Sequence, residues 1–233
     1  MSKLAVITGG TKGIGRAVVD RFAAEGFDIA TCSRQGDALE GLKRDMAKYK
    51  VTVDGFVADL SNRKEAETFT TWVLSLGKPV DVLVNNAGSF HPGHLIDEQN
   101  GTLESMIGAN LYSAYYTTRG LVKEMKRLKN GHVFNMCSVA SIKAYPNGGS
   151  YAISKFALLG FTKGLREELK DHGVRVTAVI PGATRTSSWD SAQLPDDRFI
   201  RPEDVAEAIY GAYSLSARSV VEEILIRPQL GDI

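Results

Sequence analysis

Two stretches of the sequence carry residue types and spacings suited to chemistry. In Leu4-Ala5-Val6-Ile7-Thr8-Gly9-Gly10-Thr11-Lys12-Gly13-Ile14-Gly15 an apolar run ends in a glycine-rich turn that opens into a helix-patterned segment. Gly9, Gly13 and Gly15 permit backbone angles that a Cβ forbids, and let a pyrophosphate approach closely enough to accept main-chain N–H bonds around Thr11, Lys12 and Ile14. Further along, Tyr151 and Lys155 stand four apart in a helical segment and share one face. A phenol of ordinary pKa about 10 is a slow proton donor, and a fixed ammonium beside it favours the phenolate. Lowering that pKa by about three units takes on the order of 4 kcal/mol. With eight tyrosines in the chain, this spacing also arises by chance.

The elements that must position these groups alternate. Phe27 to Ser33, Val51 to Ala58, Val80 to Val84, Val133 to Cys137, Val174 to Ile180 and Val220 to Ile226 read as strands after the first at Leu4 to Ile7. Helical periodicity covers Gly13 to Glu25, a segment capped by Asp37 (Leu39, Leu42, Met46), one capped by Ser61 (Ala66, Phe69, Val73, Leu76), Thr102 to about Lys129, Tyr151 to Lys170 and Arg201 to Ser214. Asn110, a poor residue for a helix interior, either faces solvent or serves a polar site. Ser138 follows a strand, and Pro181-Gly182 follows another. Ala183 to Ile200 reads as an irregular loop able to form a lid.

Ser33-Arg34 at the end of the second strand bears on cofactor choice. A ribose 2′-hydroxyl calls for an acid there, whereas a 2′-phosphate calls for a cation; Arg34 with Lys12 favours NADP(H) over NAD(H), the other reading being two ordinary surface cations.

The 233 residues suffice for a single domain with a large core, expected to span 1–233. A net charge of +1 with scattered cations gives no footprint for nucleic acid or an anionic membrane, and no apolar run reaches spanning length. Cys32 and Cys137 lie in strand-like runs, as inert reduced thiols of a cytoplasmic protein would. His91 and His94 lack companions for a metal site, so no metal is expected.

Taken in order, Thr8-Gly9-x-x-x-Gly13-x-Gly15, Asp59, Asn85-Asn86-Ala87-Gly88, Asn110, Ser138, Tyr151-x-x-x-Lys155 and Pro181-Gly182-x-x-x-Thr186 resemble the short-chain dehydrogenase/reductase family over essentially the whole chain. The resemblance implies an α/β Rossmann-type fold, doubly wound around a seven-stranded parallel sheet with helices on both faces. It implies Asn110, Ser138, Tyr151 and Lys155 as a catalytic tetrad. It also implies cofactor contacts from Asp59 and Leu60 at the adenine, from Asn86, Ala87 and Gly88, and from Pro181, Gly182, Thr184 and Thr186. The ending from Val220 through Arg227-Pro228 to Gly231-Asp232-Ile233, with Pro181 to Trp189, is similar to bacterial sepiapterin reductases.

The expected reaction is NADPH-dependent reduction of a small, planar or cyclic carbonyl compound. Tyr151 would donate the proton, Ser138 would hold the oxygen, and Asn110 would hold a water linking Lys155 to solvent. Trp189 on the lid, with Ala140 and Tyr145 in the loop after Ser138, would contact the substrate, although Trp189 could equally pack the lid alone. Asp232 would bind an amino group or lie in a solvated terminus. The alternatives are a 3-oxoacyl-thioester reductase, whose usual tail this chain lacks, and a non-catalytic NADP(H)-sensing protein. Tyr115, Tyr116, Phe156 and Phe161 exceed what one sheet face needs, and in the family the two long helices pair across a two-fold axis. A homodimer or homotetramer is therefore expected.

Overall fold

The computed structural model describes residues 2–190 and 193–233. Its strands are β1 (Leu4–Thr8), β2 (Asp28–Ser33), β3 (Val53–Val57), β4 (Val80–Asn85), β5 (His132–Met136), β6 (Arg175–Pro181) and β7 (Glu223–Ile226). They form one parallel sheet in the order β3-β2-β1-β4-β5-β6-β7. The helices are α1 (Gly13–Ala24), α2 (Gly36–Met46), α3 (Arg63–Ser75), α4 (Thr102–Ile107), α5 (Ser113–Leu128), α6 (Gly149–Leu169) and α7 (Pro202–Ser214). The doubly wound architecture is the one expected.

Strand alternation explains why both faces are covered. In β1, Ala5 and Ile7 enter a core with Val18, Phe22, Leu42 and Ile209, whereas Leu4 and Val6 enter one with Phe69, Val73, Leu121 and Leu165. Both side-chain sets are apolar, so each face must be roofed: α1, α2 and α7 serve one, α3, α5 and α6 the other. The strand order reverses between β1 and β4, opening a crevice at their carboxyl ends.

Several boundaries differ from the sequence reading. The side chain of Asn62, not Ser61, caps α3, accepting from the Lys64 and Glu65 amides, and Ser61 instead bonds Asp59. Gln35 occupies the cap position of α2 and Asp37 lies in its first turn, where an acid still favours the helix dipole. The long helix from Thr102 is interrupted by a π-helical turn at Gly108–Tyr112, which contains Asn110. Tyr151 is the third residue of α6, not its first, and β3 and β7 are shorter than read. Among the described residues no helix is long and apolar enough to cross a membrane.

Candidate active site

Beyond the carboxyl ends of the strands lies a cleft of about 1140 Å³. Its floor is the glycine turn. Gly9 (φ 67) and Gly13 (φ 56) take left-handed conformations, and a Cβ on Gly15 would stand 2.3 Å from the Gly9 carbonyl and 2.4 Å from Asn86 Nδ2. That closeness has a cause: Asn86 Nδ2 donates to the Thr8 and Gly9 carbonyls at 2.9 and 3.2 Å, and Thr8 Oγ1 accepts from the Asn86 and Ala87 amides. The Asn-Asn-Ala-Gly turn is thereby fastened to β1. Below it, Asn85 Nδ2 donates to Thr118 and Asn135 within the core, a polar network the sequence did not announce.

Ser138 follows the end of β5, Tyr151 and Lys155 lie in the first two turns of α6, and Asn110 lines the same cleft from the π turn. Ser138 caps a short 3-10 turn at Val139–Ser141; its Oγ accepts from the Ala140 amide at 3.1 Å, which leaves its own O–H free to donate. Lys155 is buried and donates to the Met136 carbonyl at 2.7 Å, with Nζ 5.7 Å from the Tyr151 ring centroid. Asn110 is buried, and both Nδ2 hydrogens are committed, to the Ser89 carbonyl and to Ser154 Oγ. Its side chain therefore braces the site from within the π turn, whose i→i+5 pattern departs from the α-helical ladder.

The electrostatics also depart from expectation. Burial pushes the Tyr151 hydroxyl up to about 12, with a hydrogen bond to Ser138 opposing it. Burial instead pushes the Lys155 ammonium down to about 8. Desolvation is the leading cause for both groups, and the Lys155 ammonium spends one hydrogen on the Met136 carbonyl.

At the phosphate end, α1 has neither a side-chain cap nor an acid in its first turn, and Lys12 and Arg34 are exposed with no ion-pair partner among the described residues. Thr11, Ile14, Ser33, Leu60, Gly88 and Pro181 line the same cleft, as does Asp59, whose carboxylate accepts from the Ser61 amide and hydroxyl. A glycine cradle at an uncapped helix start, flanked by two unpaired cations, fits a dinucleotide carrying a third phosphate. Gly182, Thr184 and Thr186 also border the cleft, and Thr186 lies against the glycine turn, where a Cβ on Gly13 would stand 3.2 Å from it.

At the substrate end Tyr145 and Trp189 line the cleft, but Ala140 is wholly buried under the turn it belongs to, and Val139 and Lys143 take the wall instead. Trp189 packs edge-on against Phe199 at 5.5 Å and also lines the cleft. Phe90 went unnoticed in the sequence: it lies edge-on to Tyr151 at 4.8 Å and stacks with Trp189 at 6.1 Å. Its position directly after a Gly-Ser at a strand's end was the available signal. Asp232 and Ile233 border the cleft too, with Asp232 paired to Arg227 at 3.3 Å. Ser191 and Ala192 of the lid lie outside the described residues. His91 stands between the cleft and a neighbouring cavity of about 550 Å³ that His94 also lines.

Comparison with known proteins agrees with this geometry. The family model for short chain dehydrogenases matches residues 3–196. A sepiapterin reductase of Chlorobaculum tepidum is 33% identical, with 100% of this chain and 99% of that protein covered. An alcohol dehydrogenase from the archaeon Thermococcus sibiricus, solved with 5-hydroxy-NADP, superposes with a TM-score of 0.91 at 28% identity, covering 98% of this chain and 97% of that one. A metagenomic short-chain oxidoreductase solved with NADP gives 0.86 at 29% identity, covering 97% of each chain.

Proposed function

The chain belongs to the short-chain dehydrogenase family, and we propose that within it this protein is an NADPH-dependent reductase that converts a small, planar or cyclic carbonyl compound, sepiapterin-like or diketone-like, to the alcohol. The observation that carries this reading is the ring wall over the proton donor. Phe90 and Trp189 lie 27° from parallel, with Tyr151 edge-on to Phe90. A flat, conjugated carbonyl slides against such a wall with little loss of conformational freedom.

When bound, NADPH supplies the hydride. The remaining work falls to the chain's own side chains. Ser138, its lone pair already engaged by the Ala140 amide, donates its O–H to the substrate oxygen and stabilises the charge developing there. Tyr151, kept protonated by its surroundings, hands its phenolic proton to that oxygen. Lys155 keeps two N–H donors beyond the one spent on Met136, and its charge offsets the phenolate that the transfer leaves behind. Lys12 and Arg34 grip the 2′-phosphate, and the glycine turn with α1 holds the pyrophosphate.

One domain thus carries both cofactor and substrate. Tyr112, Ile153 and Phe156 leave large apolar surfaces exposed on the π turn and α6, and these support a homodimer or homotetramer. Both thiols are buried and free, in keeping with a reducing compartment such as the cytoplasm.

The test is NADPH consumption against sepiapterin, a diketone, an aromatic aldehyde and a 3-oxoacyl thioester, with Tyr151→Phe as control. Turnover of sepiapterin or the diketone, lost in the variant while NADPH still binds, supports the reading. Preference for the thioester, or an unimpaired variant, overturns it.

A further inference from the structure

α6 begins without a cap of its own. Gly148 offers no side chain, and the first turn contains no acid. The missing acceptor comes from 52 residues away. Glu98, on the segment joining β4 to α4, takes the Ser150 amide on Oε1 at 2.9 Å and the Ser150 hydroxyl on Oε2. These bonds hold its carboxyl below its ordinary pKa, so it is charged at neutrality, at the positive end of a 21-residue helix.

The chain has made room for this side chain. Gly149 sits at φ +45, and a Cβ there would stand 2.0 Å from Oε1, while one on Gly93 would stand 3.2 Å from Glu98 Cγ. Glu98 therefore lies in a slot between two glycines, and Gly93 N donates to the Asn147 carbonyl beside it at 3.0 Å. The residue after Ser150 is Tyr151. The same segment also presents Phe90 to the Tyr151 ring, and its start is held by Asn110 through Ser89.

We infer that Glu98 is a positioning residue for Tyr151: by capping α6 from the substrate-side loop it fixes the first helical turn, and with it the phenol, relative to the pocket wall. The inference rests on the reading of Tyr151 as proton donor. Without the carboxylate the first turn loses the acceptor for its second amide and frays, while the remainder of α6 stays held by its buried side. A displacement of about 1 Å at the proton donor is worth roughly 100-fold in rate.

The experiment compares wild type, Glu98→Ala, Glu98→Gln, Ser150→Ala, the Glu98→Ala/Ser150→Ala double variant and Tyr151→Phe. The readouts are kcat and KM with the best carbonyl of the panel, NADPH dissociation by fluorescence, and amide hydrogen exchange over 148–155. Glu98→Ala is expected to lower kcat about 10- to 100-fold, with NADPH affinity held within about twofold and faster exchange confined to the first turn. Glu98→Gln, which keeps an oxygen for the Ser150 amide, is expected to recover part of kcat. The double variant should be no worse than Glu98→Ala, because both changes break one unit.

A kcat within about twofold of wild type in Glu98→Ala overturns the inference. So does a loss shared equally by NADPH affinity, or one that Gln does not relieve. Should Glu98→Ala fail to fold, Ser150→Ala and Glu98→Gln decide, and wild-type kcat in both overturns it. Activity surviving in Tyr151→Phe instead sinks the donor assignment itself, which separates the two failures.

Discussion

The side chain of Asn110 is paired in both directions with the main chain of Ser89: its oxygen accepts from the Ser89 amide at 2.9 Å and its nitrogen donates to the Ser89 carbonyl at 3.0 Å. The second Nδ2 hydrogen goes to Ser154 Oγ, which in turn donates to the Tyr151 carbonyl at 2.7 Å. Loop, π turn and α6 are thus joined at one buried amide. The approach is tight enough that a Cβ on Gly88 would stand 2.5 Å from Asn110 Oδ1.

Asn110→Ala leaves both Ser89 main-chain groups without these partners, so a loss of stability on the order of 2–3 kcal/mol is expected, with kcat reduced because the loop and α6 are uncoupled. Urea unfolding and steady-state kinetics measure the two together. Unchanged stability with lowered kcat would return Asn110 to the water-holding role that its engaged side chain argues against.

What the sequence disclosed and what it withheld follow from the range of each interaction. The glycine turn, the strand alternation and the pairing of Tyr151 with Lys155 are local patterns, and all appear where their spacing puts them. Glu98 and Ser150, or Asn110 and Ser89, meet only after the chain folds, and nothing near them in sequence marks the contact. The π turn inserts one residue into a helix without disturbing its apolar stripe enough to show. Ser61 and Asn62 are both good caps, and only geometry decides between neighbours. The Tyr151 hydroxyl illustrates a different limit: proximity to Lys155 was legible, but the direction of Nζ and the degree of desolvation were not.

On the proposed mechanism, Lys155 gives the reaction a pH dependence with a definite sign. Its ammonium is held at about 8, so roughly nine-tenths of it is charged at pH 7. The charged form is the one that offsets the phenolate. Carbonyl reduction is therefore expected to be flat through neutrality and to fall as pH rises through about 8, well below the value near 12 at which Tyr151 itself would lose its proton. Lys155→Arg, slower because its planar head fits the site poorly, should lose that alkaline limb. An unchanged limb in the variant would assign it to another group.

With Lys12 and Arg34 as the proposed grip on the 2′-phosphate, cofactor preference is separable from catalysis. Neither has an ion-pair partner among the described residues, so removing either leaves no orphaned carboxylate and little effect on folding is expected. Each of Lys12→Ala and Arg34→Ala should weaken NADPH binding about tenfold, the scale of one charge-assisted contact, while NADH binding stays within about twofold. The NADPH effect should also shrink as salt is raised. Equal weakening of both cofactors would mean that the cations act on the shared pyrophosphate and not on the 2′-phosphate.

Asp28 sets the acid limit of the fold. Burial works to raise its carboxyl, but hydrogen bonds from Lys78 at 2.6 Å, from the Ser2 hydroxyl and from the Thr52 amide at 2.7 Å outweigh it, bringing it from 3.8 to about 2. A carboxyl depressed on folding stabilises the protein above its unfolded pKa, and that contribution disappears as pH falls through the folded one. It amounts to on the order of 1 kcal/mol once solvent screening at the partly exposed Lys78 is allowed for. The stability difference between wild type and Asp28→Asn should be constant from neutrality to about pH 5, narrow below about 4 and close near 2. Lys78→Met should shrink that contribution and bring the end of its loss to higher pH, because the folded carboxyl then titrates nearer its ordinary value, while the start, set by the unfolded chain, stays where it is. A wild-type advantage that persists undiminished at pH 2.5 would show that Asp28 contributes by packing at the start of β2 and not by its charge.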